Sequence, residues 1–421
     1  MISKSNKINR MATRDINIFL AGIALYSVAY VIAQSDPPYL VVLAGELVQF
    51  LGICLVTFAL FAFIKLKNST AAYVKFILIL LLAWFYFLVA WSLRLDFGFL
   101  KEMLFGGEGS LFTYLIPLVV FVPKKILFFK NAVRTCLIFG VVYIIFLFIY
   151  RDIIFKIYGS NSVVNAKYLF EYCAKWLSMT AGIIFLLHPY FSKKVKFFAL
   201  LIVLTTLVTA LFRARRSLIF MSIFPLLIAG FIYIFNSRYK TIAFIFGIMI
   251  FLGLAGAGYE IYMDNQNGFF SNLTTRIDED TRTGVNECFY NDFTFKDWII
   301  GRGFEGRYFC PNIDDNYEVI GYRSMIETDF LNIILKSGAV YLFLLLSLMI
   351  PAVFKGWFQS KNILSKAAAS WIFFWVLCLY PSNVFAFSLN YLLVWLSVGI
   401  CFSERIRLMP EETLIRYFQK Y

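Results

Sequence analysis

Charge is scarce in this 421-residue chain and histidine scarcer: Asp, Glu, Lys and Arg together make up 15% of it, and there is one His against 61% hydrophobic residues. That composition leaves too little polar surface for a soluble domain. Period-two alternation is missing from the apolar runs, which disfavours a closed β-barrel. A single histidine cannot build a His metal cluster, and there is no repeat or low-complexity tract. The first apolar run, Ile16–Ala33, follows basic Met1–Arg14. It is longer than the ~7–15 residues of a signal h-region, so it reads as an uncleaved span. The net charge of +14 points away from nucleic acid, because in a membrane chain Lys and Arg first report orientation.

Long apolar runs are what the chain does have. A window of about 19 residues finds roughly twelve, from Ile16–Ala33 to Val384–Phe402, with Leu104–Val122 and Ala367–Tyr380 the weakest. The expected fold is all-α and polytopic. With the N-terminus in the cytoplasm, the inside segments hold about 23 of the 39 Lys and Arg and about 4 of the 25 Asp and Glu. Both termini then face the cytoplasm. Residues 1–258 carry helices 1–9. A single large outer loop, 259–326, follows, and 327–421 carries helices 10–12 and the tail. Long loops in compact folds are functional or disordered, and Trp298, several Phe and Tyr and two Cys favour a folded one. Five of the seven cysteines fall in or beside spans and read as small buried hydrophobes. The loop pair, Cys288 and Cys310, suits a disulfide in an oxidising compartment.

In "LFRARRSLIF" this register places Arg213, Arg215 and Arg216 on the outer face, against the positive-inside rule. Snorkelling to lipid phosphate would explain one arginine. Three together suit a site for a doubly charged anion, because the guanidinium fork grips phosphate oxygens in pairs. Arg302 and Arg307 in "IGRGFEGRYF", and Arg323, are the loop arginines best placed to join them; Arg276 and Arg282 are others. Glu327 and Asp329 in "SMIETDFLNIILKSG" supply carboxylates where the loop re-enters the membrane. Either fits a general base, although Asp329 equally suits an N-terminal helix cap. Glu171 and Lys175 stand one turn apart and should pair. Glu46 is a lone intramembrane acid and Asp36 a weaker site residue. Asp278–Asp280 and Asp314–Asp315 read as solvated acidic faces, and the sequon Asn272-Leu273-Thr274 carries little weight. His188 sits at the cytoplasmic end.

At these residues the chain resembles the O-antigen polymerase and O-antigen ligase superfamily of bacterial envelope glycosyltransferases. The features that carry the resemblance are the outward arginines before a span, the loop with "GRGFEG", and "ETDFLNIILKSGAVYLFLL" entering a late span. It implies a GT-C-like fold in the bacterial inner membrane with the large loop in the periplasm. It further implies an enzyme without metal or cofactor that acts on undecaprenyl-pyrophosphate-linked oligosaccharides, with a partner protein that sets chain length. By position Arg216 matches the arginine thought to hold pyrophosphate, with Arg215 its rival. Ligases of the family carry a histidine eleven residues before a glycine. Counting back from Gly338 reaches Glu327, which favours a polymerase and makes Glu327 the expected base. A ligase, or a transporter without catalysis, are the alternatives.

Overall fold

The computed structural model describes residues 2–35, 39–64, 71–93, 96–107, 110–122, 125–155, 169–236, 239–266, 270, 273–274, 282–311 and 321–419. Asp36, Asn272, Arg276, Asp278–Asp280 and Asp314–Asp315 lie outside the described residues.

The apolar runs fold as helices. In chain order these are α1 (Ile2–Ala33), α2 (Tyr39–Ile64), α3 (Ala72–Ser92), α4 (Phe97–Phe105), α5 (Leu111–Leu115), α6 (Lys125–Ile149), α7 (Leu169–Leu186), α8 (Lys193–Phe212), α9 (Arg216–Asn236) and α10 (Lys240–Asp264). The large loop contributes α11 (Thr283–Asp292) and α12 (Phe295–Ile300), and α13 (Asp329–Phe358), α14 (Ile363–Cys378), α15 (Leu389–Phe402) and α16 (Glu411–Gln419) follow. Among the described residues, eight helices are long and apolar enough to cross a membrane. They are α1, α2, α3, α6, α7, α8, α9 and α13. The chain is an all-α polytopic membrane protein.

Three expected spans form apolar helical stretches of fewer than 18 residues. The run Leu104–Val122 breaks after α4, and α5 tightens into a 3₁₀ stretch, Ile116–Phe121, with Pro117 near its start. Pro lacks the N–H an α-helix interior needs, and 3₁₀ turns are the usual local compromise. The helices α14 and α15 have 16 and 14 residues. At 1.5 Å per residue, α15 covers roughly 21 Å against a bilayer core of about 30 Å. Nothing forces it to be longer, because Leu389 to Cys401 are all buried. As the axis of the bundle it meets protein rather than lipid, so irregular backbone beyond its ends is shielded.

Connections alternate between two ends. At one, the Gly107 carbonyl accepts from Phe387 N–H at 3.1 Å, and Ser35 and Tyr150 hydroxyls meet at 3.3 Å. At the other, Asn17 and Asn131 side chains bond at 3.0 Å and Lys130 donates to the carbonyls of Tyr417 and Phe418. In α1 and α2, Gly22 and Gly52 face each other so closely that a Cβ on either would fall 2.6–2.7 Å from the other's carbonyl oxygen. Small residues permit such approach between membrane helices.

The described part of the loop is folded. Thr294 and Asp297 cap α12 reciprocally, and β1 (Tyr308–Phe309) pairs antiparallel with β2 (Tyr322–Arg323). Cys288 and Cys310 form the expected disulfide. Val285, Phe289, Phe293, Tyr308 and Ile326 share one apolar cluster with Leu331, Ile334 and Leu335 of α13. The loop core therefore continues past the expected boundary at 326/327.

The reason is a break in α13. Gly338 has φ +75°, a left-handed value that favours glycine, and a Cβ there would lie 2.1 Å from the Ile299 carbonyl oxygen. The carbonyls released before the break are satisfied from outside. Arg302 N–H reaches Leu335 O at 2.7 Å, Gly303 N–H reaches Lys336 O at 3.0 Å, and the Trp84 indole reaches Ser337 O at 2.8 Å. "GRGFEG" is thus the loop's docking strip on a broken membrane helix.

Candidate functional site

One cleft draws four segments of the chain together. It holds about 190 Å³ and is lined by Glu171, Tyr172, Lys175, Arg215, Ser217, Arg282, Met325, Glu327, Pro381, Ser382 and Asn383. Each wall has a local cause.

The first wall is the top of α7. This helix departs from α geometry, with a π turn at Ala174–Ser178 followed by a 3₁₀ turn at Met179–Gly182. Such bulges re-aim side chains and recur at functional sites. Glu171 and Lys175 pair as expected, at 2.8 Å. The other Glu171 oxygen takes Arg215 at 2.9 Å, a partner that helical spacing alone does not announce.

The second wall is the arginine strip. Two bonds end α8: Arg215 N–H to Ala210 O at 2.9 Å, and Ala214 N–H to Leu211 O at 3.1 Å. Together they form a Schellman motif, whose left-handed position is filled here by Ala214 at φ +54° instead of the usual glycine. This turn separates the three guanidinium groups. Arg213 is buried and donates to the Ile153 carbonyl. Arg215 enters the cleft. Arg216 begins α9 with its side chain exposed and outside the lining. The arginine that matched the family by position therefore stands off the cleft, and its neighbour lines it.

The third wall comes from the loop. Arg282 donates to Pro381 O at 2.8 Å and pairs with Glu327 at 3.4 Å. Glu327 is 48% exposed against 20% for Glu171, so it lies at the rim and Glu171 deeper.

The floor is the irregular stretch between α14 and α15. Asp329 fixes it: one carboxylate oxygen accepts from Val384 N–H at 2.7 Å and Phe385 N–H at 2.6 Å. Asp329 is 1% exposed and absent from the lining. Thr328 occupies the cap position of α13, without a side-chain cap bond. Asp329 is therefore neither a base in the cleft nor the cap, but the anchor of its floor. A buried carboxylate that accepts two N–H bonds is well compensated for lost hydration.

The remaining arginines lie elsewhere. Arg302 grips Asp292 and Asp297 and lies over the Phe293 ring, holding the loop together instead of facing a ligand. Burial alone would raise the Asp297 carboxyl. The Arg302 guanidinium and the Thr294 cap bonds outweigh it and hold Asp297 below the usual carboxylate range. Arg307 and Arg323 are half-buried and do not line the cleft. Glu46 pairs with Lys101 at 2.7 Å. His188 packs against Tyr233 at the other end of α7, and burial and the nearby Lys196 push its pKa down. Among the described residues no group of three or more His, Cys, Asp or Glu stands together as metal ligands.

Sequence reasoning missed three contributions. Arg282 was legible only as one of several loop arginines. Lys175 read as the partner of Glu171 and no more. Pro381–Asn383 carried a signal, since Pro-Ser-Asn between two apolar runs marks a turn.

The site thus defines a class: a polytopic helical membrane protein with a mixed-charge, cation-rich cleft at one end of its bundle. No family model matches the chain, and comparison with curated proteins and with solved structures gives no match.

Proposed function

We propose that the chain is a surface-polysaccharide polymerase, a glycosyltransferase of the bacterial inner membrane. It transfers a growing glycan from undecaprenyl pyrophosphate to a lipid-linked repeat unit at the periplasmic face. Both termini are cytoplasmic, and a separate partner sets chain length. The observation that carries this reading is the cleft itself, in which Lys175, Arg215 and Arg282 converge from three segments of the chain beside Glu171 and Glu327.

The chemistry follows from those groups. The acceptor hydroxyl oxygen bonds to the anomeric carbon of the donor sugar. The bond from that carbon to the phosphate oxygen breaks, and its electron pair leaves on the diphosphate. The hydroxyl proton passes to Glu327, which the rim keeps accessible. Arg215, Arg282 and Lys175 meet the charge that accumulates on the leaving group, and they do so most strongly as the bond breaks. The burial of Lys175 and Arg215 strengthens these contacts over their value in water.

The test is a glycan profile from a strain whose long surface glycan depends on this chain. Arg215→Ala and Glu327→Gln, each inserted at normal levels, should leave single repeats on the lipid acceptor. Normal ladders from both would refute the assignment. Loss of all repeats, including single ones, would point to a ligase.

A further inference from the structure

Glu171 has no part in the transfer step above, yet it lies deeper in the cleft than Glu327 and touches two of its three cations. Its carboxylate is split between them, with Oε1 on Lys175 at 2.8 Å and Oε2 on Arg215 at 2.9 Å. All three side chains are four-fifths or more buried. Glu327 stands in the same relation to Arg282, more loosely, at 3.4 Å.

A cleft built only to bind a diphosphate would leave its cations open. Here an incoming diphosphate has to take Arg215 from a carboxylate already seated on it. Every ångström of approach also sets it against the Glu171 charge. This cost falls on donor and product alike, because both carry phosphate at the same place. For a transferase that releases a lipid diphosphate in every cycle, uniformly tighter anion binding lowers KM without raising kcat and then slows release.

We propose that Glu171 is a built-in counter-anion, a specificity-determining residue that limits affinity for the diphosphate and returns to Arg215 to help expel the product. The Lys175 contact makes the return local. When a phosphate oxygen displaces Glu171 from Arg215, Lys175 one turn away keeps the carboxylate at the cleft wall. The idea rests on the diphosphate reading of the cleft, and it assigns to Glu171 a role opposite in sign to that of the arginines.

The experiment is a binding titration of inorganic pyrophosphate to the full chain in detergent, comparing the parent with Glu171→Gln and Arg215→Ala. Glu171→Gln should bind about fivefold more tightly, the scale of one partly exposed ion pair removed from competition. In the strain assay the same variant should make shorter glycans despite its tighter binding. Arg215→Ala should bind more weakly than the parent. A variant damaged only in structure would not gain affinity. If Glu171→Gln does not fold, Glu171→Asp carries the test, since its shorter arm cannot span Lys175 and Arg215 together and should also bind more tightly. Unchanged or weaker binding by the folded variant, with the parent binding normally, overturns the counter-anion. A parent that binds no pyrophosphate overturns the diphosphate reading beneath it.

Discussion

The two ends of the bundle are finished on opposite principles. At the tail end, polar groups close on one another. The Asn362 side chain caps Ser365 N–H at 2.9 Å and donates to the carbonyls of Ile406, Arg407 and Met409. Arg407 donates to Gln359 O, and Lys130 takes the carbonyls of Tyr417 and Phe418. Backbone groups there are consumed by the protein itself, which lets the end pack shut. At the cleft end the regular elements stop short. There α7 carries a π turn, α13 breaks at Gly338, and α14 and α15 leave a buried irregular stretch between them. Side chains then have to hold what regular hydrogen bonding does not, and the space left over is the cleft. Strain and irregularity collect where chemistry needs shaped room, while a closing end needs only stability.

That contrast is sharpest if the two ends fail differently. Arg215→Ala or Arg282→Ala, which spare the tail end, should lower glycan transfer at least about a hundredfold, the scale of losing one donor to a leaving group. Arg216→Ala should leave the long glycan ladder in place, because that side chain stands outside the lining. Asp329→Ala strands two buried N–H groups. It should cost about 3 kcal/mol and activity too, measured as a lower midpoint of thermal unfolding in detergent. Serine at both Cys288 and Cys310 should cost the outer loop about 3 kcal/mol, visible as faster proteolysis there with the membrane helices intact. Asn362→Ala should cost about 2 kcal/mol of thermal stability yet leave ladder length unchanged, since only the closed end is touched. Ala214→Gly should stabilise by about 1 kcal/mol, because it relieves a left-handed alanine.

Acid provides a finer comparison within the cleft end. The folded Asp297 carboxyl lies below its unfolded value of about 3.9. Its contribution to loop stability is therefore complete above that pH and is lost as the pH falls toward the depressed folded value. Asp297→Asn should remove this acid sensitivity of the loop, read by proteolysis of the loop across pH 5 to 2.5, and leave the tail end unaffected.

The sequence made the helices legible because hydropathy depends on neighbours in the chain. It also made Cys288–Cys310 legible, since only two cysteines lie outside the spans. Glycine spacing in "GRGFEG" was visible, but its meaning was not. Those glycines matter because they let the loop backbone lie against α13, a contact between segments far apart in sequence. The arginines show the same limit. Arg213, Arg215 and Arg216 are adjacent and chemically alike, and a single left-handed residue between them decides which faces the cleft. Asp329 looked like a base or a cap because both roles are local. Its actual partners, Val384 and Phe385, lie 55 and 56 residues away.

The break at Gly338 has a practical result for anyone who would exchange outer loops between chains of this kind. Two of the last carbonyls of the first half of α13, those of Leu335 and Lys336, are taken up by the loop's own amides, so the graftable module does not stop where the apolar run begins. A chimera joined at 326 would sever the loop from its foundation, whereas one joined after Gly338 would carry both partners of the Arg302–Leu335 and Gly303–Lys336 backbone bonds.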